Sequence, residues 1–359
     1  MVKMAGAEVN HKKVVSILKT ELIEQSLWEH LKSEAEGLFG FTISKVTPIK
    51  RGWLNEKWKI ETDEGTFLLK QYNRERLKKY DLNTIRKALH TQNRAFSHGI
   101  PCPELLQHNG NLLHESSLGE YFTVMRFMKG SLITAGSAHS NQMESLGQSV
   151  GKLHKLLNDG NLPPKSETMF KIPPIEERLD YWDSVLLESE EKGLYHLQPF
   201  MKLQKEATLK LNLSEIINFP SGWSHRDLWV DNLLFFECEL AAILDFDRMN
   251  YDFPAIDVAR VVISTCLQEE SLNLEAVQAF VKGYSNTNEL SLKILCSSMK
   301  LLWYLESTWW ISVTMEHQGD PPKRFAKEMI WLAENLEELE LILFGNKEQQ
   351  ENLRFTETS

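Results

Sequence analysis

The stretch from Ser224 to Phe253 breaks an otherwise helical half of the chain, and it carries polar residues at fixed intervals. Before it, apolar residues recur at helical spacing over Met143–Leu157, Glu177–Leu187 and Phe200–Leu211. After it they do so over Ala255–Cys266, Leu274–Tyr284, Leu290–Met315 and Pro322–Leu343. Inside it stand His225-Arg226-Asp227-Leu228-Trp229-Val230-Asp231-Asn232, the apolar run Leu233–Phe236, and Ala242-Ile243-Leu244-Asp245-Phe246-Asp247. A helical region must therefore fold around a short insert of loops and strands.

The first 130 or so residues have a different rhythm. Val14–Leu38 shows helical periodicity through Val15, Leu18, Leu22, Leu27 and Leu31, and reads as one or two helices. Lys57–Thr62 and Thr66–Tyr72 read as strands joined by Asp63-Glu64-Gly65, and Tyr121–Met128 as a third closed by Gly130. Asn83–His98 reads as a helix stopped by Gly99 and Pro101. Leu105-Leu106 and Leu112-Leu113 flank Asn109-Gly110, a strong hairpin signal. The expected class is α+β. It comprises an N-terminal helical segment (1–40), a small β-rich lobe (41–128), a larger helical lobe (129–345) and a polar tail (346–359).

The spacing within the insert suits phosphoryl transfer. That chemistry needs a carboxylate beside the attacking hydroxyl, an oxygen donor for a divalent cation close by, and a second carboxylate for the metal that bridges the phosphates. Asp227 can orient a hydroxyl and take its proton. Asn232, five residues on, can offer its amide oxygen to Mg²⁺, and Asp245, at the end of an apolar strand, can be the main Mg²⁺ ligand. Taken singly, each has an ordinary structural use: a helix cap, a turn, a strand end.

The motif H-x-D-x-x-x-x-N, followed thirteen residues later by Asp245-Phe246-Asp247 and then by Asp252-Phe253-Pro254-Ala255-Ile256-Asp257, resembles the aminoglycoside phosphotransferase group of protein-kinase-like enzymes. That group includes choline kinases, homoserine-kinase-type enzymes and spore-coat kinase-like proteins. The resemblance spans roughly residues 40–310. It implies a bilobal kinase-like fold and an ATP- and Mg²⁺-dependent enzyme that moves the γ-phosphate to a hydroxyl of a small molecule such as an amino alcohol, aminoglycoside or sugar. It also implies that Lys70, on its strand, reaches the α/β-phosphates, and that Arg51-Gly52-Trp53-Leu54-Asn55 is the turn covering the nucleotide, with Gly52 and Asn55 against phosphate. Met125 and Phe127 then lie at the crossover that meets the adenine edge, and Asp257 braces the catalytic loop from a helix start.

Two departures from the group stand out. The helix Asn83–His98 has no acidic residue to pair with Lys70; Ala88 lies near the expected position. Arg226 stands where many members have glycine, and could touch phosphate or substrate or pair with Asp231 or Asp247. A pseudokinase-like binding or assembly protein is therefore an alternative. A kinase acting on a protein partner is another, weakened by the lack of an Ala-Pro-Glu signature after Asp245.

Other signals are weaker. Trp303, Glu306 and Trp310 share a helical face and could hold an ammonium group by cation–π attraction, or could simply be core. His154, on a helix, reads as structural. A net charge of −10, from 40 basic and 50 acidic residues, argues against a general nucleic-acid or anionic-membrane binder. Cys102, Cys238, Cys266 and Cys296 have no C-x-x-C spacing, and the N-terminus lacks an apolar signal core. A reducing cytoplasm is the expected setting. The sequence leaves the oligomeric state open.

Overall fold

A computed structural model of the protein describes residues 25–50, 55–78 and 81–345. The expectations for Val14–Gln25, for Arg51–Leu54 including Gly52, and for the tail 346–359 fall wholly or mostly outside those residues. The chain divides into two compact units, Met1–Asn93 with Pro103–Phe127, and Arg94–Cys102 with Met128–Ser359.

The first unit is built on an antiparallel sheet in the order β1-β2-β3-β5-β4. Its strands are β1 (Ile43–Pro48), β2 (Glu56–Thr62), β3 (Gly65–Gln71), β4 (His114–Glu115) and β5 (Tyr121–Arg126). Strand alternation splits the apolar residues between two faces. On one face Ile60, Phe67, Leu69, Phe122 and Val124 pack with Trp28, Leu31 and Ala35 of helix α1, which runs over residues 25–39. On the other, Leu68 and Met125 pack with Ile85 and Leu89 of α2 (Leu82–Ser97). The Asn109-Gly110 turn forms, with both residues at positive φ and a bridge between His108 and Asn111. The pairing does not extend to the flanking Leu105, which bridges to Met125 of β5 instead.

The second unit is mostly helical: α3 (Ser140–Leu157), α4 (Ile175–Glu191), α5 (Gln198–Lys210), α6 (Pro254–Cys266), α7 (Leu274–Tyr284), α8 (Leu292–Trp310), α9 (Pro322–Glu334) and α10 (Leu339–Phe344). Helix α8 stops at Trp310 rather than Met315, and the expected helix over Pro322–Leu343 is two, with Asn335 capping the first. Two short ribbons form the insert, β6 (Gly222–Ser224) with β9 (Asn250–Asp252) and β7 (Leu233–Phe236) with β8 (Glu239–Ile243). Helices α3 and α7 approach backbone to backbone at Gly147 and Gly283. A Cβ on Gly147 would lie 2.3 Å from the Phe280 carbonyl oxygen, so only glycine permits the contact that seats His154 beside Tyr284. Among the described residues no helix is long and apolar enough to cross a membrane.

Candidate active site

The insert works as two clamps. The β6–β9 ribbon pairs Ser224 with Asn250, so the chain leaves β6 directly into His225-Arg226-Asp227. Asp257, in the first turn of α6, accepts hydrogen bonds from the backbone N–H of His225 at 2.6 Å and of Arg226 at 2.8 Å. The imidazole of His154 lies 3.2 Å from the same carboxylate, with its other nitrogen 2.9 Å from the Tyr284 hydroxyl. Burial alone would raise the pKa of Asp257. The His154 hydrogen bond, the neighbouring imidazoles and the Arg260 guanidinium outweigh burial and hold the carboxyl below its ordinary value. Asp257 is thus a buried anion whose work is to fix two peptide groups of the loop, and His154 is its structural partner.

His225 is not an acid–base group in this arrangement. Its ring is fully buried edge-on against Phe246 at 4.6 Å, and neither nitrogen makes a hydrogen bond. Burial pushes it down to about 4, so it is neutral at ordinary pH and serves as packing.

The β7–β8 hairpin brings the remaining candidates together. It pairs Leu233 with Ile243, and the Leu244 N–H donates to the Asn232 carbonyl at 2.8 Å, so Asn232 and Asp245 flank its open end. Asn232 Nδ2 donates to the backbone oxygen of Asp227 at 2.8 Å and to its Oδ2 at 2.9 Å. The amide nitrogen of Asn232 is thus committed to Asp227, which leaves its amide oxygen turned away from that contact. Asp227 Oδ1 is buried and accepts no hydrogen bond. Burial pushes Asp227 up to about 6; the Arg248 guanidinium pulls it back, while the nearby charge of Asp245 adds to the rise. Asp245 itself has left-handed backbone, φ 62° and ψ 68°, as does Arg226 at φ 66°. Such conformations cost a non-glycine residue roughly 1–3 kcal/mol and collect at sites where geometry matters more than stability. Here they bracket Asp227 from both segments.

Arg226 does not pair with Asp231 or Asp247. Its Nε donates to Asp252 at 2.7 Å, and its guanidinium lies 4.2 Å from the Phe170 ring centre. Asp231 is instead paired with Arg324 of α9. Three residues to which the motif assigned no role lie at the loop: Asp252, which holds Arg226; Arg260, whose Nη1 donates to the Arg226 carbonyl at 3.0 Å; and Arg248, beside Asp227. The only sequence signal for Arg248 was its place directly after Asp245-Phe246-Asp247.

In the first unit Lys70 lies near the end of β3, paired with Thr123 of β5, on the same strand face as Leu68, which packs towards α2. Its side chain is only 3% exposed, with the ammonium 5.1 Å from the Tyr72 ring centre. Helix α2 supplies no carboxylate to that face, and Ala88 is fully buried. Asn55 accepts the Asn73 N–H at 3.2 Å, tying the start of β2 to the chain after β3. Met125 pairs with Leu68 on one side and bridges Leu105 on the other, with its side chain in the core. The Phe127 N–H donates to Thr66, and its ring carries the Lys59 ammonium at 5.0 Å.

The tryptophan stripe is not an open cage. Trp303 is fully buried, with its indole N–H donating to Gln204 at 2.6 Å. Glu306 is buried against Arg260, and Trp310 packs on Phe325, which in turn stacks on Trp229 at 4.2 Å. Of the two readings of this stripe, the packing is that of core: its acidic and aromatic groups are spent on each other.

A β-sheet unit, a helical unit and this paired-loop site define a protein-kinase-like phosphotransferase. Residues 45–290 match the APH phosphotransferase enzyme family, and the chain belongs to that family. It is an enzyme, a kinase with an alcohol group as acceptor. The homoserine kinase of Rhodopseudomonas palustris (strain BisA53) is 24% identical over 261 residues, covering 71% of this chain and 75% of that protein. The homoserine kinase of Bartonella henselae is 26% identical over 246 residues, covering 67% and 72%. Among solved structures, an amicoumacin kinase in complex with AMP-PNP, Ca²⁺ and Ami superposes with a TM-score of 0.57 at 17% identity, covering 89% of this chain and 96% of that one. An aminoglycoside phosphotransferase from Alicyclobacillus acidocaldarius gives 0.55 at 11% identity, covering 86% and 93%.

Proposed function

We propose that this chain transfers the γ-phosphate of ATP, bound with Mg²⁺, to a hydroxyl of a small molecule. The observation that carries the proposal is Asp227: one carboxylate oxygen is held by Asn232, and the other is buried without a hydrogen bond. A buried acceptor left unsatisfied is costly, about 1–3 kcal/mol. An incoming hydroxyl that donates to it removes that cost and is oriented by it. With its pKa near 6, Asp227 is ionised at neutral pH yet basic enough to take the hydroxyl proton as the oxygen attacks.

The candidate metal ligands fit a hard cation, being the amide oxygen of Asn232 and the carboxylate of Asp245. Among the described residues no group of three or more His, Cys, Asp or Glu could hold a metal ion, so the proposed pair relies on phosphate and water for the other ligands. When bound, Mg²⁺ neutralises charge on the phosphates. Lys70 is proposed to contact the α/β-phosphates, Gly52 and Asn55 to lie in the turn over them, and Met125 and Phe127 to lie on the adenine side. In this scheme residues 41–128 serve the nucleotide and 129–345 the chemistry and the acceptor. A second role, in which the fold is kept for binding alone, is favoured by the absence of a carboxylate on α2.

The test is ADP release from Mg·ATP with a panel of homoserine, other amino alcohols, aminoglycosides and sugars. Acceptor-dependent release supports the proposal. Absence of release with every acceptor, together with no stabilisation of the fold by Mg·ATP, contradicts it and leaves a binding protein.

A further inference from the structure

We propose that Arg248 is a catalytic residue of this chain, presenting its guanidinium to the oxygens of the phosphoryl group in flight beside Asp227. The inference rests on the proposed phosphotransfer and names a group that the motif does not contain. Arg248 Nε lies 3.6 Å from Asp227 Oδ1. That distance gives attraction without a hydrogen bond, so the guanidinium stands next to the reacting carboxylate and is not tied to it.

The other arginines around the loop are committed. Arg226 is held by Asp252, Arg260 by Glu306 and Asp257, and Arg324 by Asp231 and Glu328. Arg248 makes no side-chain hydrogen bond among the described residues. Its side chain is 44% exposed where that of Asp227 is 10%, so it stands on the solvent side of the base. Its backbone, by contrast, is well rooted. It ends the 3₁₀ turn Phe246–Arg248 that follows the left-handed Asp245, and the Met249 N–H closes that turn onto Phe246 at 2.9 Å. Phe246 is buried against His225.

The chemistry needs a cation at this place. Between Asp227 and Asn232 the loop offers only Leu228, Trp229, Val230 and the already paired Asp231. Asp227 and Asp245 both add negative charge around a group that is itself anionic. As the bond from the γ-phosphorus to the β,γ-bridging oxygen breaks, ADP leaves with the electron pair. The acceptor oxygen bonds to phosphorus and its proton passes to Asp227. The planar guanidinium fork of Arg248 matches two phosphoryl oxygens.

The experiment measures ADP binding by calorimetry with Mg²⁺, with and without aluminium fluoride as a mimic of the transferring phosphoryl, on the parent, Arg248→Ala and Arg248→Lys. In the parent, fluoride should tighten ADP binding. Arg248→Ala should bind ADP alone within about twofold of the parent and lose roughly 10- to 100-fold of the tightening, the worth of a charge-assisted contact. Arg248→Lys should recover part of it. Full tightening in Arg248→Ala overturns the proposal, as does equal loss of plain ADP binding, which marks a structural residue. If the parent binds ADP with no tightening, or does not bind it, the phosphotransfer reading fails and this inference with it.

Discussion

Two segments of the second unit look like sites in the sequence, the loop His225–Asn232 and the tryptophan-rich end of α8, and the fold treats them in opposite ways. In the loop, Asp257 of α6, itself held by His154 of α3, grips the backbone and leaves a reactive atom unclaimed, Asp227 Oδ1. At the end of α8, the polar atoms are consumed by the core. Gln204 takes Trp303, Arg260 takes Glu306, and the backbone oxygens of Thr308 and Ile311 accept from the Tyr181 hydroxyl. Residues spaced for a reaction carry functional information. Residues that are merely aromatic and acidic are as easily explained by packing.

Substitution should separate the two. Asp227→Asn keeps the shape and loses the base, so turnover should fall by about 10²- to 10⁴-fold with the melting temperature close to the parent's. Glu306→Gln should do the reverse. It leaves Arg260 buried with a weaker partner, at a cost of roughly 3 kcal/mol, the lower end for a broken buried pair because Asp257 still faces Arg260 at 3.9 Å. The melting temperature should drop while the acceptor KM stays within about twofold. A raised KM with unchanged stability would restore the α8 stripe as an acceptor site.

A smaller effect sharpens the same contrast through pH. Glu328 of α9 is buried beside Arg324, and burial pushes it up to about 7 from an ordinary value of 4.5. Between those two values the folded state holds more protons than the unfolded state, so stability falls as pH rises. The contribution of neutral Glu328 is fully present below about pH 4.5 and is lost as pH climbs through about 7. Glu328→Gln should flatten that decline by roughly 2–3 kcal/mol between pH 5 and 8 in urea unfolding. An unchanged pH slope would show that Arg324 keeps Glu328 ionised.

Local pattern made much of the fold legible. Strand pattern located β2 and β3, and helical periodicity located α6 and α7 to within a residue and α3 at its C-terminal end, three residues short at its start. What pattern could not supply was tertiary. Helix α8 ends early where Arg178 and Tyr181, some 130 residues away in sequence, bind its last turn. Leu105, flanking the Asn109-Gly110 turn, pairs with β5. In the site, the spacing of Asp227, Asn232 and Asp245 marked residues that the β7–β8 hairpin does bring close. The partners of Arg226 were not legible, because Asp252 and Phe170 reach it only through the β6–β9 ribbon and the loop before α4. Arg248 drew no notice, since a lone arginine after a motif usually faces water.

The division of labour between Asp227 and Asp245 is the centre of the account, and calorimetric titration of Mg·ATP into Asp227→Asn and Asp245→Asn tests it most directly. Asp227 is assigned to the acceptor hydroxyl and Asp245 to the metal that accompanies the nucleotide. Asp227→Asn should therefore bind Mg·ATP within about threefold of the parent, whereas Asp245→Asn should lose at least tenfold, as expected when a charged ligand contact of about 1.5–3 kcal/mol is removed. Equal loss in both variants, or none in Asp245→Asn, would contradict it.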